Sequence, residues 1–204
     1  MVDIHSLGYS RAIRVVWLME DLHQPYNLVP YQRTDGFRAP DSLGKVHPLG
    51  KSPVICDDGI TLAESSTILR YLVDKFSDTS HRPKIGTALY WRHEELLDYV
   101  ESSFAAVAMG LLLPKLRGKE PSDAARKAMQ LHFDYVADQL SAGELLFGKN
   151  AMLADIQFSY LLVNLSNLGF LSDTPRLAAY WAALQQQPGY TAAVAKAGAM
   201  APPI

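Results

Sequence analysis

The sequence predicts two domains of different class, a small α/β domain built on a four-stranded mixed sheet and an all-helical bundle after it. Three observations carry this. Over residues 1–76 the apolar spacing switches repeatedly between strand and helix periods. The polar stretch 77–86, SDTSHRPKIG, interrupts both. Beyond it only helical spacing survives, punctuated by prolines. The expected division is therefore 1–76, a linker over 77–86, and a helical domain over 87–204.

Taken in order, Val2 to His5 reads as a short strand. Ser10 then stands as a cap before Ile13, Val16, Trp17 and Met19 to Leu22, which recur at helical spacing. Tyr26 to Tyr31 reads as a second strand, and Pro30, which lacks a ladder donor, assigns it to a sheet edge. Residues 37–47 are polar and irregular, with room for a short helix. Pro53 to Cys56 and Ile60 to Leu62 flank Asp57-Asp58-Gly59, a tight-turn signal that makes an antiparallel hairpin. Ile68, Leu69, Leu72 and Phe76 mark one face of a further helix. The order β-α-β-α-β-β-α gives a mixed sheet covered by helices. In the second half, helices are expected near 87–113, 122–141, 154–168, 175–187 and 190–198, broken at Pro114, Pro121, Pro175 and Pro188. Ile156 to Leu165 is apolar on almost every side and should be the central helix.

Composition narrows the function classes. Lys plus Arg number 19 against 21 Asp plus Glu, and no basic run occurs, which argues against nucleic acid or a membrane surface as partner. The longest apolar stretch, Phe104 to Leu113, is short of the roughly 20 residues a bilayer span needs. Asp3 and the lack of a long apolar run near the start do not fit a signal peptide. Cys56, the sole cysteine, forms no internal disulfide and points to a reducing compartment, hence a cytoplasmic location. It lies in a short apolar strand and reads as a small buried hydrophobe. The 6 histidines are scattered without ligand spacing, so no metal is expected.

His47 to Leu72, HPLGKSPVICDDGITLAESSTILRYL, carries the most chemical information. It reads as loop, strand, turn, strand and helix, with Pro53 opening the first strand and Glu64-Ser65 opening the helix. A backbone edge beside a proline and a helix N-terminus with its free N–H groups suit a small peptide-like anion.

Four segments in this order and spacing resemble the cytosolic glutathione transferases, especially the GTT-like bacterial and fungal group. They are Ser10-Arg11-Ala12-Ile13-Arg14-Val15-Val16-Trp17-Leu18-Met19-Glu20, Ala39-Pro40, His47-Pro48-Leu49-Gly50-Lys51-Ser52-Pro53-Val54, and Leu62-Ala63-Glu64-Ser65. The likeness covers most of residues 1–76 and, more loosely, the helical half. It implies a thioredoxin-like first domain, glutathione as co-substrate, a small-molecule electrophile as second substrate, and a two-fold homodimer.

The resemblance also assigns roles. It implies a cis peptide between Ser52 and Pro53, with the Ser52 main chain facing the cysteinyl unit of glutathione. Ser65 would hold the γ-glutamyl carboxylate and Glu64 the amino group; the plainer reading of Ser65 is a helix cap. Lys51 would pair with the glycyl carboxylate, with Arg38, Lys45 and His47 as weaker candidates. Ser10, four residues before Arg14, would hold the sulfur as thiolate, with Tyr9 and Ser6 as rivals and an N-cap as the plainer role. Arg11 could add positive potential there, or simply form a surface salt bridge. Leu7, Tyr9, Tyr99, Ser103 and Phe104 are expected along the electrophile pocket. Asp155 opens the central helix, yet the position three residues earlier, where the family places Ser or Thr, is Met152; Asn150 is another possible cap. The implied activity is conjugation. A glutathione-dependent isomerase, dehalogenase or peroxidase would use the same thiolate, and a non-catalytic binding protein would share the fold. A thiol–disulfide oxidoreductase lacks its cysteine in the first loop.

Overall fold

β1 (Val2–Leu7) lies between β2 (Tyr26–Tyr31) and β3 (Val54–Asp57), with β4 (Ile60–Ala63) beyond β3, in the computed structural model, which describes residues 1–140 and 145–202. β1 and β2 run parallel from Val2 opposite Tyr26 to Leu7 opposite Tyr31. β3 runs antiparallel to both β1 and β4. The sheet is mixed, as the sequence predicts, and β2, which contains Pro30, is an edge strand. Residues 1–76 thus adopt the expected thioredoxin-like arrangement; β2 has its expected bounds, β1 and β4 run two and one residues further, and β3 is shifted by one residue.

α1 (Ala12–Asp21) crosses between the parallel strands, α2 (Asp41–Gly44) is the expected short helix, and α3 (Ser65–Lys75) follows the hairpin. Ala12 to Met19 are all buried, so α1 has almost no solvent face. On one side it meets α3, whose Ile68, Leu69, Leu72 and Val73 are buried at its amphipathic spacing. On the other it meets α9 (Pro188–Ala197). Trp17 is fully buried and stacks edge-on against Tyr190, with ring centroids 5.3 Å apart. The contact is close: a Cβ on Gly189 would lie 2.1 Å from Asp21 Oδ1 and 2.6 Å from Trp17 Cδ1. Here the expected division needs correction. Residues 187–202 group with 1–79, because α9 buries its face on α1, whereas the sequence reading assigned all of 87–204 to the helical domain.

The second unit, 80–186 among the described residues, is helical. α4 (Ala88–Tyr99), a five-residue π-helical segment (Val100–Phe104) and α5 (Ala105–Leu116) form one continuous run. By length and composition this run could cross a membrane. Its Leu96, Leu97, Val100, Phe104, Ala108, Leu111 and Leu112 are buried, and the run packs on α6 (Asp123–Gln139) and α7 (Leu153–Asn167). The expected break at Pro114 does not occur. Pro114 sits inside the last turn of α5, and the stop comes at Gly118, whose φ of +69° closes the helix. Its N–H donates to Lys115 O and that of Lys119 to Pro114 O, the paired bonds of a glycine C-cap. α6 starts at Ser122, whose Oγ accepts from Ala125 N at 3.2 Å. Residue 141, the expected end of that helix, lies outside the described residues.

α7 is the central helix, with Leu153 to Phe158, Leu161, Leu162 and Leu165 all buried, and α8 (Pro175–Gln185) packs on it. Its N-terminus shows how the missing Ser or Thr is replaced. Asp155 Oδ2 accepts from Met152 N at 2.9 Å, which supplies the acidic half of a capping box. Neither Met152 nor Asn150 provides an oxygen for the other half. The two earlier donors are held from outside the helix: His93 Nε2 on α4 accepts from Ala154 N at 3.3 Å, and His81 O accepts from Leu153 N at 2.9 Å. The buried Asp155 carboxyl also takes Leu146 N at 3.1 Å and Tyr180 Oη at 2.7 Å. Burial pushes it above the usual carboxylate range, and these donors oppose the shift.

Candidate active site

The turn after β1 places Ser10 two residues ahead of the helix it was expected to cap, with Arg11 in the cap position. α1 begins at Ala12, and Ser10 Oγ accepts from Ala12 N at 3.2 Å. The same oxygen donates to Ser52 Oγ at 3.3 Å. Ser52 is the hub of the cluster: its Oγ accepts from Leu7 N at 3.0 Å and donates to His5 O at 2.9 Å. One hydroxyl thus joins the end of β1, the Ser10 turn and the segment entering β3. The Ser52–Pro53 peptide is cis, as the resemblance implied. The β1–β3 ladder ends at His5 opposite Val54, so the Ser52 main chain is outside it. His5 packs near this hub with Nδ1 2.9 Å from Tyr31 Oη, and burial lowers its pKa, with the Asp3 charge opposing.

The second half of the site is the start of α3. Glu64 occupies its N-cap position with φ of +67°, a conformation that costs a non-glycine residue about 1 kcal/mol or more. Its carboxylate is exposed and makes no hydrogen bond among the described residues. Ser65 is the first helical residue and does not act as the cap, contrary to the plainer reading. Its Oγ accepts from Nη1 of Arg14 at 3.1 Å. Arg14 is fully buried within α1, so a cation stands directly behind the hydroxyl. The helix N-terminus and this guanidinium together favour an anion in front of Ser65.

Other expected residues are placed differently. Tyr9 is 36% exposed, and its ring stacks on Phe37 at 6.2 Å rather than turning into the Ser10–Ser52 cluster. Ser6 is buried in β1 opposite Pro30. Leu7 is buried too. Lys51, Arg38 and Lys45 are exposed, and His47 Nδ1 accepts from Leu49 N at 3.4 Å. Cys56 in β3 has Sγ 3.6 Å from Thr61 Oγ1, away from the first loop. Three pocket candidates fall in the second unit. Ser103 is exposed there, within the π-helical segment. Phe104 is fully buried against Phe133 and Phe158, so its ring belongs to the helical core and not to an open wall. Tyr99 lies 2.6 Å from His132 Nδ1 through its hydroxyl, and burial raises its pKa. Among the described residues no three His, Cys, Asp or Glu side chains converge on a metal-sized space.

Two residues were missed. Arg14 was legible in part, since an arginine within Ile13 to Trp17 is surrounded by apolar neighbours. Arg33 was not: it follows β2 and reaches 25 residues back to Gly8 O, with Nε at 2.8 Å.

A mixed sheet in the order β2-β1-β3-β4, with a cis proline opening β3 and a helical second unit, defines a thioredoxin-like domain joined to a helical one. Residues 5–74 match the family described as glutathione S-transferase, N-terminal domain. The chain is 30% identical to glutathione S-transferase 1 of Saccharomyces cerevisiae, over 98% of this chain and 97% of that protein. It is also 30% identical to glutathione S-transferase 3 of Schizosaccharomyces pombe, over 78% and 72%. A crystal structure of a glutathione S-transferase from Actinobacillus pleuropneumoniae superposes with a TM-score of 0.83 at 29% identity, covering 97% of this chain and 93% of that one. The chain belongs to the glutathione S-transferase family.

Proposed function

We propose that this protein is a serine-type glutathione transferase, which holds glutathione as its thiolate and conjugates it to a small hydrophobic electrophile. The observation that carries the reading is the Ser10–Ser52 hydroxyl pair, 3.3 Å apart, beside the cis Ser52–Pro53 peptide. In this reading the tripeptide pairs with the Ser52 main chain as a short strand would. Its γ-glutamyl carboxylate meets Ser65 and the start of α3, its ammonium meets Glu64, and Lys51 meets the glycyl carboxylate. A cytosolic homodimer and a glutathione site confined to residues 1–76 belong to the same proposal.

The magnitudes agree. A free thiol titrates near about 8.5, so only a few per cent is ionised at neutral pH. Lowering that by about two units requires about 2.7 kcal/mol of preference for the anion. A hydrogen bond to a charged group contributes about 1.5–3 kcal/mol. Ser10 Oγ now spends its proton on a 3.3 Å neutral contact with Ser52. Rotating that proton to a thiolate exchanges a long neutral bond for a charge-assisted one. The Ala12 N–H already held by the same oxygen polarises it further in the right direction. The sulfur then attacks the electrophile; its lone pair forms the new bond, and the leaving group or added π-pair carries the charge away.

The placement of the rivals favours Ser10, since Tyr9 is committed to Phe37 and Ser6 to the sheet. The test is Ser10→Ala. Turnover of a generic aromatic electrophile at neutral pH should fall about 10- to 100-fold, matching the loss of one charged hydrogen bond. Glutathione affinity should stay within about twofold, because the peptide contacts remain. Unchanged turnover would remove Ser10 from the mechanism.

A further inference from the structure

Arg33 spends its guanidinium on the main chain of two loops. Nε donates to Gly8 O at 2.8 Å, Nη2 to Tyr9 O at 2.9 Å and Nη1 to Phe37 O at 2.9 Å. The guanidinium carbon also lies 4.3 Å from the centroid of the Phe37 ring, which in turn stacks on Tyr9 with 17° between the planes. Arginine, aromatic and aromatic thus form three layers over the turn that ends in Ser10.

That turn needs a clamp. Tyr9 has φ of +56° and Phe37 has φ of +59°, both in the left-handed region that disfavours bulky side chains. Left alone, the two loops would relax by about 1 kcal/mol or more at each position. Three charge-assisted bonds in a fixed planar fork oppose that relaxation, and a lysine, with one compact ammonium, could not span the three oxygens.

The clamp has a directional consequence. In a trans peptide the N–H points opposite to the C=O. With the Gly8 and Tyr9 carbonyls turned to Arg33, the N–H groups of Tyr9 and Ser10 face away from it. Neither N–H has a hydrogen-bond partner among the described residues. Successive N–H groups around a left-handed residue make a concavity that favours negative charge. Bonding each carbonyl to a cation strengthens its N–H as a donor.

We propose that Arg33 is the positioning residue of this site: by holding the Gly8 and Tyr9 carbonyls it aims the Ser10 hydroxyl, and the N–H groups beside it, at the glutathione sulfur. This rests on the reading of Ser10 given above. Arg33 itself touches neither substrate.

The test uses Arg33→Gln, Arg33→Lys and Arg33→Ala in the full chain, with Ser10→Ala in parallel. Ultraviolet absorbance of the bound thiolate is followed against pH, calorimetry gives glutathione affinity, and turnover is measured at pH 6.5 and 9. In the Gln and Ala variants the titration of the bound thiol should move toward the free value of about 8.5. Turnover at pH 6.5 should fall about tenfold or more, with a smaller loss at pH 9, as expected for a misaimed group. Glutathione affinity should stay within about twofold. Millimolar methylguanidinium should restore the Ala variant, and Lys should retain only part of the effect. An unmoved thiol titration in these variants, or a loss equal at both pH values without rescue, overturns the proposal. If the Gln or Ala variant fails to fold, the Lys variant decides by the same titration. Should Ser10→Ala move the titration while the Arg33 variants do not, only the role of Arg33 falls. Should Ser10→Ala also leave it unmoved, the Ser10 reading falls and takes this one with it.

Discussion

Arg14 Nη1 donates to Ser65 Oγ across 3.1 Å, and this bond ties the middle of α1 to the first residue of α3. Both partners are buried, Arg14 at 0% exposure and Ser65 at 5%. Ser65→Ala removes the acceptor and leaves a buried donor short of one bond, which should cost about 1–3 kcal/mol of stability. Glutathione affinity should weaken in the same variant. Urea unfolding and calorimetry read the two effects, and a variant as stable as the parent would show that the bond is incidental.

The His93 acceptor at the start of α7 makes a second prediction. His93→Phe keeps an aromatic ring in the buried site beside Phe147 but strands the Ala154 N–H, at a cost of about 1–3 kcal/mol. Met152→Ser puts an oxygen at the N-cap, where the backbone is already extended at φ −102° and ψ 176°. Such a cap contributes about 0.5–2 kcal/mol. The gain should be larger in the His93→Phe background than in the parent, because serine then supplies the missing acceptor. A double-mutant cycle by urea unfolding measures this, and strict additivity would contradict it.

His5 sets a pH dependence. Burial lowers its pKa in the folded protein, only partly offset by the Asp3 charge, so the neutral ring is the folded form. The unfolded chain titrates near the ordinary value of about 6.5 and binds more protons below it. Stability should therefore be intact above that value and decline as pH falls through it. His5→Gln should flatten this slope between pH 7.5 and pH 5. Identical slopes of the urea midpoint in both proteins would reject the assignment.

Gly189→Ala tests the contact between α9 and α1. Its Cβ would fall 2.6 Å from Cδ1 of Trp17, a side chain with no exposed surface. Overpacking of this kind costs about 1–3 kcal/mol. The loss should appear as a lower thermal midpoint with a changed tryptophan emission. An alanine variant with the parent's midpoint would show that the helix simply shifts outward.

Features written in local spacing were legible beforehand. Asp57-Asp58-Gly59 announced the hairpin, Pro30 the edge strand, and Ile156 to Leu165 the central helix. Each depends on residues within a few positions of one another. What stayed hidden depends on distant partners. Ala154 finds its acceptor 61 residues away at His93, Ser65 its donor 51 away at Arg14, and Gly8 its donor 25 away at Arg33. Pro114 misled for a related reason. Proline removes one helical bond, yet α5 runs past it to Leu116, and the Gly118 cap decides the stop. The helix over 190–198 was legible, but its grouping with α1 was not, because small residues such as Gly189 and Ala193 name no partner until Trp17 is seen beneath Gly189.

Because α9 completes the surroundings of Trp17, the first folding unit is discontinuous in the chain. On the ribosome, α1 emerges long before the segment that shields it and must wait with an indole uncovered. Such sequence-distant closure slows folding and leaves an apolar surface open to chaperones meanwhile. Fluorescence of arrested nascent chains should therefore show the native indole environment only once Tyr190 has cleared the exit tunnel.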